Sequence, residues 1–154
     1  MPTETDQDRE ILLAHARHPK RTGELHDANG SGHCHNPMCG DKIHVAIIVD
    51  DNKIKNIRIL PSGCSISIAS ASLMTELLEG LTIDETESII KLVNDSFVPE
   101  NRAELKDEWP VSLTILSPLK RIRENPLKVP CALISWVAVK DAVKNYKAGS
   151  AKTN

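Results

Sequence analysis

The sequence predicts an α+β domain, a small antiparallel β-sheet covered on one face by helices. Three observations carry that expectation. Period-two runs flank a polar turn at Asp50-Asp51-Asn52-Lys53, helix-period segments precede and follow them, and start and stop signals divide the C-terminal half into separate helices. At 154 residues the chain is expected to fold as one domain over residues 1–154, with an ordered core from about residue 6 to residue 147.

The elements follow in order. Ile11, Leu12 and His15 fall at helical spacing between a cap at Thr5 or Asp6 and the stop at Pro19, which gives a helix from Asp6 to about His18. Pro19 to Met38, punctuated by Gly23, Gly30 and Gly32, reads as irregular with room for one short strand. From Lys42 the period becomes two: Ile43, Val45, Ile47 and Val49 face one way, His44, Ala46 and Ile48 the other. After the turn, Ile54, Asn56 and Arg58 alternate against Lys55, Ile57 and Ile59, completing a hairpin. Pro61-Ser62-Gly63 closes the second strand.

Ser65 to Ser72 alternates as a strand would, but Leu73 to Glu79 continues with helix formers and stops at Gly80. The whole of Ser65 to Glu79 is therefore expected to be one helix whose small residues allow close packing. Thr82 and Glu85 form a capping box that opens a helix to about Asp95. Phe97 to Pro110 reads as loop or short helical turns, and Val111 to Arg123 as a short helix broken by Pro118. A last helix from about Cys131 to Lys147 buries Ala132, Trp136, Val139, Val143 and Tyr146, and residues 149–154 form a flexible tail.

Composition excludes several roles. A net charge of −2 with one Phe, one Tyr and two Trp offers few stacking platforms, so nucleic acid is not an expected partner. The basic residues between Lys120 and Lys152 suit a solvated helix face, with a patch for an acidic partner as the sharper alternative. No apolar run approaches the ~20 residues of a membrane span. The acidic, polar start, Met1 to Asp6, does not resemble a signal peptide. The expected setting is the reducing cytoplasm, without a membrane partner, where cysteines serve metals or catalysis rather than disulfides.

Three strings carry the chemistry: Asn36-Pro37-Met38-Cys39-Gly40-Asp41, Gly63-Cys64-Ser65-Ile66-Ser67 and Val129-Pro130-Cys131-Ala132. Cys39, Asp41, Cys64 and Cys131 offer three thiolates and a carboxylate, enough to close a tetrahedral zinc site or to hold an iron–sulfur cluster. Pro37 stiffens the approach to the first pair, and Gly40 lets the backbone bend so that both side chains can reach one ion. Cys64 between a strand end and a helix start, and Cys131 just before another helix, are expected to have lowered thiol pKa values there. The single hard carboxylate in a soft set suits a site that must open. His33-Cys34-His35 reads as an extended segment with its histidines on one side and Cys34 on the other. A peripheral metal contact there competes with plain surface histidines, and His15, His18, His26 and His44 read as surface or helix-packing residues.

These strings resemble the IscU/SufU/NifU N-terminal scaffold family of iron–sulfur cluster biogenesis, most closely its SufU branch. Residues 36–41 match the family's N-P-x-C-G-D motif, residues 63–75 are similar to the SufU segment G-C-S-I-S-M-A-S-A-S-M-M-T, and residues 131–136 to C-A-T-L-S-W. The likeness runs from the N-terminal helix to about Lys144.

The resemblance implies that Cys39, Asp41, Cys64 and Cys131 are the metal ligands. It implies zinc as the metal, with a [2Fe-2S] cluster or iron as the alternative. It implies a PLP-dependent cysteine desulfurase as partner, with downstream iron–sulfur scaffold or acceptor proteins, and Cys39 as the persulfide acceptor. Docking would free Cys39, with Asp41 both a ligand and a local control on when that cysteine leaves.

Pro130 stands where the IscU branch carries a histidine, and the spacing from Cys64 to Cys131 resembles the longer SufU form, with an insertion at roughly residues 98–116. Both favour a zinc-dependent sulfur acceptor, a sulfurtransferase-like carrier, over a cluster scaffold. A structural zinc domain or a metal-dependent hydrolase is the outside reading. Asn125-Pro126-Leu127-Lys128 weakly resembles the chaperone-binding segment of IscU, and Lys128 is alternatively a positive charge beside the thiolates.

Overall fold

A computed structural model describes residues 4–98 and 111–152. Its elements are α1 (Glu4–Arg17), β1 (Gly30–Asn36), β2 (Asp41–Asp50), β3 (Lys53–Ser62), α2 (Ser65–Leu78), α3 (Ile83–Phe97), a 3-10 segment (Val111–Glu124) and α4 (Val129–Lys152). The three strands form one antiparallel sheet in the order β1-β2-β3. The α+β architecture is the one the sequence predicts.

The β2–β3 hairpin turns where its chemistry dictates. Asp51 and Asn52 both take left-handed backbone, φ 53° and 61°, the conformation whose twist matches a two-residue hairpin. Ile43, Val45, Ile47 and Val49 are all buried, so the expected inner face of β2 is the observed one. On β3, strict alternation fails. Ile48 pairs with Asn56 but Val49 pairs with Ile54, so Lys55 is one extra residue in the strand. That bulge turns Ile54 onto the same face as Ile57 and Ile59, and all three are fully buried.

The glycines of β1 are packing residues rather than punctuation. A Cβ on Gly30 would lie 2.6 Å from the Ala142 carbonyl oxygen, and one on Gly32 would lie 2.7 Å from the Ala142 nitrogen. Helix α4 therefore rests its small residues, Ala138 and Ala142, directly on the backbone of β1. In α2 the serines and alanines at 67 and 69–72 are buried, as close packing requires, and Ser72 accepts hydrogen bonds from the Lys20 backbone N–H and pairs with His15.

Several details differ from expectation. The Thr82/Glu85 capping box is present, but α3 runs on to Phe97, whose buried ring extends the apolar stripe of Ile83, Ile90 and Val93. Residues 99–110 of the expected loop lie outside the described residues. The 3-10 segment is interrupted at Leu113 (φ −106°, ψ 18°), and Pro118 sits inside it. Finally, α4 begins at Val129, ahead of Cys131, and continues through Gly149 to Lys152. Among the described residues no helix is long and apolar enough to cross a membrane.

Candidate metal centre

The four residues expected at the site come from four places and meet at one end of the sheet. Cys39 lies in the 37–40 turn between β1 and β2. That turn is closed by Gly40 N–H donating to the Asn36 carbonyl at 2.8 Å, with Gly40 at φ +76°. Asp41 opens β2 with its side chain fully buried. Cys64 is the residue before α2, and Cys131 lies in the first turn of α4.

Asp41 is the hub. Its Oδ2 accepts from Cys39 Sγ at 3.0 Å and from Cys64 Sγ at 3.7 Å, and its Oδ1 accepts from the Cys64 backbone N–H at 2.8 Å. The carboxylate thus sits at the N-terminus of α2, where a negative charge is favoured. Cys39 and Cys131 Sγ are 4.0 Å apart. Donor atoms of Cys39, Asp41 and Cys131 all lie within 4.8 Å of one another, and Cys64 joins them through Asp41.

Two supporting residues were not singled out from sequence. Gly63 has φ +142°, and a Cβ there would lie 2.8 Å from the Asp41 carboxyl carbon, so only glycine leaves room for the hub. Ser70, fully buried, donates to the Ala132 carbonyl at 2.6 Å and ties the helix after Cys64 to the helix carrying Cys131. The signals were present as a glycine before Cys64 and a run of serines in a helix with little solvent-facing surface.

Electrostatics correct one expectation. Burial pushes the Asp41 carboxyl up, but hydrogen bonds from Cys39, the Cys64 N–H, Cys131 and Cys64 outweigh it and hold the group below its ordinary value. The Cys131 thiol is pushed well up, first by burial and then by Asp41 and Cys64, so desolvation overrides the helix start that was expected to favour its thiolate. Cys34 is half-buried on the inner side of β1 with its thiol also pushed up by burial, and His33 and His35 point outward. Lys128 is exposed at the approach to α4, and its side chain bonds to none of the four residues.

Three of the donors suit corners of a tetrahedral site: ligand atoms on one zinc lie roughly 3.5–3.8 Å apart, against the 3.0 Å from Cys39 to Asp41 and 4.0 Å from Cys39 to Cys131. Cys64 Sγ, 3.7 Å from Asp41 Oδ2, lies outside the group whose donor atoms are all within 4.8 Å of one another. A divalent charge at that point would also stabilise the buried Cys131 as thiolate.

A sulfur-rich centre at the junction of a three-stranded sheet and two helix starts, in an α+β domain, is a side-chain set that could hold a metal ion or a cluster. Comparison with known proteins narrows this. The NifU-like N terminal domain family matches residues 7–106. The chain is 29% identical over 142 residues to the zinc-dependent sulfurtransferase SufU of Bacillus subtilis, covering 92% of each. It is 39% identical over 80 residues to the iron-sulfur cluster assembly scaffold protein IscU 1 of Archaeoglobus fulgidus, covering 52% of each. The N-terminal part of a nitrogen-fixing NifU-like protein from Brucella abortus shares the fold, with a TM-score of 0.75 at 19% identity over 94% of this chain and 99% of that one. The chain belongs to the NifU-like N-terminal domain family of iron–sulfur cluster assembly proteins.

Proposed function

We propose that this protein is a zinc-dependent sulfur acceptor that takes persulfide sulfur from a PLP-dependent cysteine desulfurase and passes it to downstream iron–sulfur scaffold or acceptor proteins. The observation that carries the reading is the asymmetry of the centre: Cys39 is exposed while Asp41 and Cys131 are buried. A group that must meet a partner's persulfide needs access, and the groups that hold the site together need none.

Cys39, Asp41, Cys64 and Cys131 would hold the zinc. Bound there, it keeps its thiols ionised near neutral pH and closes the site without redox chemistry of its own. The protein's residues do the rest. The 37–40 turn presents Cys39, and its thiolate attacks the outer sulfur of the desulfurase persulfide. The S–S bond breaks, the desulfurase cysteine leaves as thiolate, and Cys39 carries the new persulfide. Asp41, already 3.0 Å from Cys39 Sγ, is placed to take the thiol proton or to oppose the return of a negatively charged sulfur.

A second reading, a scaffold on which a [2Fe-2S] cluster is built, rests on the similarity to the IscU-named relative over half the chain. It is less well supported because Pro130, which is exposed beside Cys131, brings no imidazole to the site. The test is mass spectrometry of the zinc-loaded protein after incubation with a cysteine desulfurase and cysteine. One added sulfur on the peptide containing Cys39 supports the acceptor reading. Sulfur found only on Cys64 or Cys131 sinks it.

A further inference from the structure

The outer face of the hairpin leading to Cys39 carries a second set of metal donors. His33 on β1 and His44 on β2 are direct cross-strand partners, both exposed, and His35 is the next outward residue along β1. Directly opposed side chains on one sheet face have Cβ atoms about 4.5–5.5 Å apart, close enough for two imidazoles to share one ion by side-chain rotation alone. His44 also borders a surface cavity of about 340 Å³, which Glu24 and His26 line from the segment before β1. Neutral imidazole suits the divalent ions Zn, Cu, Fe and Ni.

We propose that His33 and His44 form a solvent-facing chelating pair for a divalent transition metal, on the opposite face of the sheet from the sulfur-rich centre. Asp41, on that centre, is inward and buried, whereas its neighbour Lys42 faces outward opposite His35. The two sites therefore share a hairpin but no ligand. Lys42 also explains why the pair is His33–His44: its positive charge sits across from His35 and disfavours a cation there. His35 contributes less, as a neighbour within reach along the same strand. The pair is independent of the sulfur-acceptor reading, since it uses none of those residues.

The experiment starts from protein carrying one equivalent of zinc and titrates nickel(II), followed by calorimetry and by the paramagnetic broadening of histidine ring resonances. One further binding event is expected, with His33 and His44 broadened first. Each of His33→Asn and His44→Asn should weaken it roughly tenfold or more, a loss of about 1.4 kcal/mol or more. His35→Asn should have a smaller effect, and Cys34→Ala and His18→Asn none. These residues are exposed or half-buried, and circular dichroism checks that each variant is folded. The proposal is overturned if the double variant His33→Asn/His44→Asn binds nickel unchanged. It is also overturned if broadening centres on His15 or His18, or if Cys34→Ala removes the event.

Discussion

The two ends of the sulfur-rich centre are built differently. Cys39 sits in a four-residue turn beside Met38, which is 92% exposed, whereas Cys131 is 2% exposed in the first turn of a 24-residue helix packed on the sheet. Asp41, fully buried, bonds to the Cys39 side and to the start of α2. The anchored side has its geometry fixed by packing that involves α2, α4 and β2. The Cys39 side is fixed by a turn and one hydrogen bond to Asp41. Under the sulfur-acceptor proposal, Cys39 is the residue that could move while packing keeps Asp41 and Cys131 in place.

The sharpest way to break that comparison is Cys39→Ala. It should abolish sulfur acceptance and lower the metal-free protein's melting temperature modestly, because buried Asp41 loses one donor, about 1 kcal/mol, but keeps the Cys64 backbone N–H. Transfer surviving in that variant would place the acceptor elsewhere.

Gly63→Ala should act on the anchored side instead. It forces a side chain into left-handed backbone and against the Asp41 carboxylate, at a cost on the order of 1–3 kcal/mol. Urea unfolding and zinc affinity should fall together, and a variant that lost zinc alone would show that Gly63 does not support the fold.

Ser70→Ala should cost about 1 kcal/mol by removing the side-chain hydrogen bond to the buried Ala132 carbonyl. It should weaken zinc binding modestly through Cys131 and leave the exposure of Cys39 to thiol reagents as it was.

The smallest effect lies away from the centre, at His15. Burial holds its pKa below the ordinary 6.5, opposed by Glu76 and assisted by Lys20, and its Nδ1 pairs with Ser72 Oγ at 2.7 Å. Its folded value is the lower one, so as pH falls the unfolded chain takes the proton first. The contribution is full above about 6.5 and is lost as pH drops below that value. His15→Gln should flatten the stability profile through that window; an unchanged slope would mean that another group sets it.

Much of this was legible in the sequence, for local reasons. The polar turn at residues 50–53, the capping box at Thr82 and the small-residue helix after Cys64 each depend on neighbours in the chain, and each is where it was expected. The donors at 39, 41, 64 and 131 could be named because turns and glycines flag them, and family likeness ties them together. What sequence did not give is tertiary. The bulge at Lys55 depends on pairing with β2, the packing glycines of β1 depend on α4, and the raised Cys131 pKa depends on burial that periodicity does not measure. The outward histidine pair needed the β1–β2 register, which turns residues eleven apart in the chain into neighbours.

The measurement that bears most directly on the central claim is alanine production by a cysteine desulfurase in iron-free buffer, with and without the zinc-loaded protein. A strong rise that disappears with Cys39→Ala is the predicted result, because turnover then depends on an exposed thiol held in place by a buried zinc site. No rise, while the two proteins still bind, would contradict the acceptor role and leave the centre as a place where clusters are assembled.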